Sequence, residues 1–127
     1  MPHKFLRLIL SVAFLPGLPA SAHHAFSGEF DSAKPITLDG VVSRVNWENP
    51  HVFFYVDVTQ PDGSVVNWGC ETRGPNGLTK QGWTRDSLKP GDRVVVHGFL
   101  ARNGSHTADG RDVTLADGRK ILSGKKD

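Results

Sequence analysis

A chain of 127 residues carries fifteen Lys and Arg against thirteen Asp and Glu, a formal charge of +2. That length allows one domain with one core and excludes two, and a single cysteine excludes an internal disulfide. The two basic residues in excess, Lys4 and Arg7, sit at the extreme N-terminus, so the rest is formally neutral and a poor match for the phosphates of nucleic acid.

The first element is a secretory signal. Lys4 and Arg7 precede a short apolar core, Leu8 to Leu15, which Pro16-Gly17 breaks before the small residues Ala20-Ser21-Ala22. The apolar run is far below the roughly 20 residues that span a bilayer, and no cysteine follows it to take a lipid. Residues 1–22 are therefore expected to be a signal peptide that sends the chain to the periplasm. Cleavage after Ala22 leaves residues 23–127, about a hundred, and cleavage after Ser21 is the alternative.

Residues 23–35 are polar and mixed, closed by Pro35, and are expected to form an N-terminal arm. Ile36 to Trp47 reads as a strand: Ile36, Leu38, Gly40 and Val42 share a face, and a slip near Ser43-Arg44 returns Val45 and Trp47 to it. A β-bulge produces such a slip and curls the strand. His51 to Thr59 is the strongest strand, with Val52, Phe54, Val56 and Val58 on one face and His51, Phe53, Tyr55 and Asp57 on the other. Gln60-Pro61-Asp62-Gly63 turns it into a third strand, Ser64 to Thr72. Pro75 opens a short helix through Gln81, kept short by Gly77 and Gly82. Arg93 to Leu100 is a fourth strand, Arg102 to Gly110 a loop, and Arg111–Leu115 pairs with Arg119–Leu122 across Ala116-Asp117-Gly118.

Three strands, a helical insertion and two or more strands is the order of an OB-type barrel. The expected fold is mainly β: a small OB-like antiparallel barrel of five to six strands over residues 36–123, with a short helix between strands 3 and 4 and a tail at 124–127. An immunoglobulin-like sandwich is the second choice; it would want about seven strands and no helix. Cys70, in the apolar run Val65 to Cys70, is expected to be a buried thiol.

Several motifs recur together: His23-His24-Ala25-Phe26, Glu29-Phe30-Asp31, Asn49-Pro50-His51, Gly74-Pro75-Asn76-Gly77-Leu78 and the long string from Gly82 to Asp92, Gly-Trp-Thr-Arg-Asp-Ser-Leu-Lys-Pro-Gly-Asp. In that order they resemble a family of small exported proteins of unknown function, mostly from Gram-negative bacteria. The resemblance covers essentially the whole exported chain. It implies export and one compact domain, and carries over no activity and no catalytic residue. Family members often have Ser at the position of Ala25 and Phe at that of Cys70, which implies a packing role for Cys70.

Two constellations could carry chemistry. Cleavage after Ala22 makes His23 the first residue; its free amine and ring Nδ1, with one more imidazole, form a three-nitrogen set suited to copper. His23 and His24 are the candidate ligands, His51 the candidate third nitrogen and His106 the second choice. The other cut would present Ala22-His23-His24, which also chelates Cu(II) and Ni(II). Second, Phe53 and Tyr55 face away from the valine row, and Asn67 and Glu71 are expected beside them on the third strand, a platform for a sugar, peptide or flat small molecule. No nucleophile elbow, phosphate loop or paired-carboxylate signature is present, so no catalytic residue is assigned. The leading expectation is a non-enzymatic periplasmic binding module. A copper-binding protein and a structural subunit of an envelope assembly are the alternatives, so a small molecule, a metal ion or an envelope protein are the expected partners.

Overall fold

The computed structural model describes residues 28–122, so the expected signal peptide, the His23-His24 pair and the tail at 124–127 lie outside the described residues. After two helical residues, Gly28 and Glu29, the span runs β1 (Phe30–Asn46), β2 (Phe53–Thr59), β3 (Val65–Glu71), α1 (Pro75–Lys80), β4 (Arg93–Ala101), β5 (Thr107–Asp109), β6 (Asp112–Leu115) and β7 (Lys120–Leu122). No helix among the described residues is long and apolar enough to cross a membrane.

β1 serves two neighbours. It pairs antiparallel with β4 from Phe30↔Ala101 to Val41↔Arg93, then with β2 from Val41↔Asp57 to Asn46↔Phe53. Its register shifts between Val42 and Arg44, so the bulge read from the sequence is present at Ser43. Leu38, Gly40 and Val42 are buried before the shift, and Val45 and Trp47 pack on the same core after it. The strand begins at Phe30, earlier than the expected Ile36. The last six residues of the polar segment read as an arm are therefore strand, held to β4 by Phe30↔Ala101 and Pro35↔Phe99.

β2 and β3 form the expected hairpin, with seven residue pairs from Phe53↔Glu71 to Thr59↔Val65. Gly63 takes a positive φ in the turn, and the Asp62 carboxylate accepts from the Ser64 N–H (2.9 Å) and hydroxyl (2.6 Å). Pro75 starts α1, as expected. Leu78 from that helix, then Trp83 and Leu88, are buried against the barrel interior and close it.

The ring closes through a strand that the sequence hides. β5 lies inside the segment expected to be a loop at 102–110; it pairs with β3 in parallel, Gly69↔Thr107 to Glu71↔Asp109, and with β4 at Leu100↔Ala108. The cycle β1-β2-β3-β5-β4-β1 is thus a closed five-stranded barrel with one parallel seam among antiparallel ones. β6 continues along the same edge of β4, and β7 pairs with β6 beyond it. The sandwich alternative is set aside by this closure.

Phe54, Val56, Cys70, Val94, Val96, Ala108 and Val113 are almost wholly buried inside. Cys70 is a free thiol of that core. Burial, and then the nearby Asp109 carboxylate, push it up to about 12, so it stays protonated and acts as packing. The β4–β5 seam is closer still: a Cβ at Gly98 would overlap the Asp109 carbonyl oxygen. Gly98→Ala should therefore open the seam and cost about 2–3 kcal/mol or more in urea unfolding. Gly28→Ala, where nothing lies within 4 Å, should change stability by less than about 0.5 kcal/mol.

Candidate functional site

Strand alternation decides what faces outward. In β2, Phe54 and Val56 are buried, so Phe53, Tyr55 and Asp57 lie on the outer face. Register then fixes their neighbours in rows. Phe53 stands between Asn46 of β1 and Glu71 of β3, with Asp109 of β5 next along. Tyr55 stands between Arg44 and Gly69, followed by Thr107; Asp57 pairs with Asn67. The four candidate ligand-binding residues, Phe53, Tyr55, Asn67 and Glu71, therefore share one face.

The two rings stack with centroids 6.4 Å apart and planes at 26°. The Arg44 guanidinium lies 3.9 Å from the Tyr55 ring centroid, a cation–π contact. Across the strand Gly69 offers no side chain, and the Tyr55 ring edge comes within 3.5 Å of where a Cβ would be. Asn67 donates to Asp57 (2.7 Å) and to the Ser43 hydroxyl (3.0 Å), which ties the bulge to this face.

Glu71 meets His51 at the open end of the hairpin. Val52 continues the ladder past β2, donating to the Arg73 carbonyl (2.9 Å) and accepting from Thr72 N–H (3.0 Å). That continuation holds His51 beside β3, where its Nδ1 pairs with the Glu71 carboxylate. The Glu71 side chain is only 13% exposed. Burial raises its carboxyl above the usual range, the hydrogen bond from His51 opposes this, and the charges of Glu29 and Asp109 add to the rise.

The sequence did not reveal a groove of about 430 Å³ beside this face. Glu29 and Phe30 form one wall, Arg102, Asn103 and Ser105 the other, and Glu71 and Thr107 reach into it. Its walls come together because Arg102 N–H donates to the Glu29 carbonyl (2.8 Å). A second hollow of about 410 Å³ lies between Asp86, Lys89, Asp92, Arg93, Asp117 and Arg119 and touches none of the candidate residues.

The metal candidates fare differently from one another. His23 and His24 lie outside the described residues. His51 is paired with Glu71, whereas the His106 ring packs on Trp68 with centroids 4.9 Å apart. Among the described residues no group of three or more His, Cys, Asp or Glu side chains is placed to hold a metal ion. Trp83 is buried in the core, and Trp47 and Trp68 pack partly buried against it, so none of the three stands on the Phe53–Tyr55 platform.

Strand order, closure and the helix between β3 and β4 define an OB-type barrel. Among solved structures the chain is similar to the mitochondrial single-stranded DNA-binding protein Rim1 from S. cerevisiae. The TM-score is 0.51 at 11% identity, over 68% of this chain and 94% of that one. A likeness at that identity shows the fold alone. No curated protein matches the sequence. Residues 2–110 match the Family of unknown function (DUF6152), and the chain belongs to that family.

Asp109, next to Glu71 in its row, gives the face a pH signature. Burial raises its carboxyl above the ordinary value, against the opposing pull of Arg111, whose Nε is 2.7 Å away. A carboxyl raised in the folded state holds its proton more tightly there than in the unfolded chain. Its contribution to stability is present in full below the ordinary Asp value, roughly 4, and is lost as pH rises through the raised one. Urea midpoints measured from about pH 3 to 7 should show the wild type losing ground to Asp109→Asn as pH increases. A difference that grows in the opposite sense would contradict the assignment.

Proposed function

We propose that this chain is exported to the periplasm and serves there as a non-enzymatic binding module, holding its ligand on the outer face of β2 and β3. One observation carries the reading. Phe53 and Tyr55 stack on the outside of a barrel whose interior is already filled by other side chains. Large rings placed outside a filled core, flanked by the polar side chains of Asn67 and Glu71, suit recognition better than folding. The test is an amide-shift titration of the processed, ¹⁵N-labelled protein with maltohexaose, trialanine and adenosine monophosphate in turn. At least one should move the Phe53, Tyr55, Asn67 and Glu71 signals together. If all three leave that face unmoved, the proposal fails.

A second reading, copper binding, gains support from the His51–Glu71 pair. A metal-binding imidazole commonly turns its other nitrogen to a carboxylate, and with Nδ1 on Glu71 the His51 Nε2 is the nitrogen left to bind. Together with the amine and ring of His23 and the ring of His24, it would complete a nitrogen set for Cu(II). Spin-resonance spectra of the processed protein with one equivalent of Cu(II) should show nitrogen couplings. Glu71→Ala should weaken the affinity by about 10- to 100-fold, and an extra residue before His23 should weaken it further. Spectra without nitrogen couplings would end this reading.

A further inference from the structure

The groove beside the aromatic face has a chemistry of its own, and it points to a class of ligand. We infer that the face takes a neutral oligosaccharide, one part seated between Glu29–Phe30 and the loop from Arg102, the remainder running past Thr107 to Tyr55 and Phe53. This rests on the binding-face reading and narrows it.

The groove and the rings form one track. Thr107, in the groove, is the cross-strand neighbour of Gly69, and Glu71, also in the groove, is that of Phe53. Gly69 is buried, and with no side chain of its own it lets the Tyr55 ring close toward Thr107: the position of a Cβ would lie 3.5 Å from that ring and 3.9 Å from the Thr107 hydroxyl. A chain of linked rings can therefore leave the groove past Thr107 and meet the Tyr55 ring directly, with no other side chain standing between the two at Gly69.

The polar groups match hydroxyls. Asn103 Oδ1 accepts from the Ser105 N–H (3.0 Å), which leaves its amide N–H groups to donate. The Ser105 hydroxyl donates to Thr107 Oγ1 (3.1 Å), which leaves the Thr107 proton to donate and the Ser105 lone pairs to accept. Glu29 and Glu71 supply further acceptors. Donors and acceptors thus alternate along one wall, as a polyol requires; a phosphate would want donors alone. The Phe53 ring, and the part of the Tyr55 ring that the Arg44 guanidinium does not cover, would take the apolar C–H side of a pyranose.

Charge points the same way. The groove sets two carboxylates, Glu29 and Glu71, against Arg102, which is itself 3.7 Å from Asp31. Along the platform Arg44 over Tyr55 is likewise matched by Asp57, so the track offers no net positive field for a polyanion. Nor is Glu71 a strong anchor for a cation, because His51 already pairs with it and burial disfavours its charge.

Amide-shift titrations of the processed protein with maltohexaose, cellohexaose and chitohexaose, each to roughly 10 mM, would test this. A twenty-nucleotide oligothymidylate and trilysine serve as the contrasting probes. At least one hexasaccharide should move Tyr55, Gly69, Ser105 and Thr107 together. Tyr55→Ala should then weaken binding about tenfold and Thr107→Val about threefold. Thr107→Val, which is nearly isosteric, should keep the wild-type amide spectrum elsewhere and so separates lost contact from lost fold. Movement of this face by oligothymidylate or trilysine, with none by the sugars, would overturn the sugar assignment while sustaining the binding face. Silence from all five probes would overturn the sugar assignment, and if trialanine and adenosine monophosphate are silent too, the binding face falls with it.

Discussion

Everything on this molecule's surface depends on how a small sheet is brought round to meet itself. β1 is shared between β4 and β2, and it changes partner at Val41. Two glycines let the backbones pack closely enough. A Cβ at Gly40 would overlap the Asp57 carbonyl oxygen, and one at Gly98 the Asp109 carbonyl oxygen. The Ser43 bulge supplies the bend between them. Closure satisfies the strand edges within the ring, and it also sets the rows. Arg44 comes beside Tyr55 and Asn46 beside Phe53 only because one extra residue has been taken up at the bulge.

With the ring closed, the interior is fully employed. Phe54, Val56, Cys70, Val94, Val96 and Val113 fill it, and Leu78, Trp83 and Leu88 close it. A domain of this size without a disulfide must draw its stability from such a core. The protonated Cys70 thiol belongs to that duty. The outer face is consequently spared. Its Asp57–Asn67–Ser43 network and its Arg44–Tyr55 contact leave the Phe53 and Tyr55 rings partly open to solvent.

Which parts were legible in the sequence follows from how far apart their causes lie along the chain. The bulge showed as a slip in apolar alternation between Val42 and Val45. The β2–β3 hairpin showed as two alternating runs around a Pro-Asp-Gly turn, and the cap as Pro75 with Leu78. Each is a local pattern. β5 left none: of Thr107, Ala108 and Asp109 only Ala108 is fully buried, and it is too small to mark a face. Its parallel partner in β3 lies almost forty residues upstream, a pairing that periodicity does not carry. The start of β1 was hidden likewise, since between Phe30 and Leu38 no residue is fully buried. Missing β5 meant missing the groove, because Thr107 and the loop before it form much of its wall. The four outward residues Phe53, Tyr55, Asn67 and Glu71 were placed on one face by alternation alone. Alternation put His51 on that face as well, but not its bond to Glu71, which depends on the ladder that Val52 continues beyond the strand end.

Glu71 is the point at which these separate features join. It is bonded to His51, it borders Phe53 in register, it lines the groove, and its charge is disfavoured by burial and by Glu29 and Asp109. A half-buried carboxyl in that position cannot respond to one neighbour without the others. A hydrogen bond from something in the groove would favour its charged form, and a charged Glu71 in turn holds the His51 ring more firmly through Nδ1. Withdrawing the His51 proton would leave a buried carboxyl with less support and draw Glu71 toward its neutral, donating form. The outer face and the segment around His51 are therefore one electrostatic unit, although they stand on different elements of the barrel. Glu71 is the group that both share, paired with His51 on one side and lining the groove on the other.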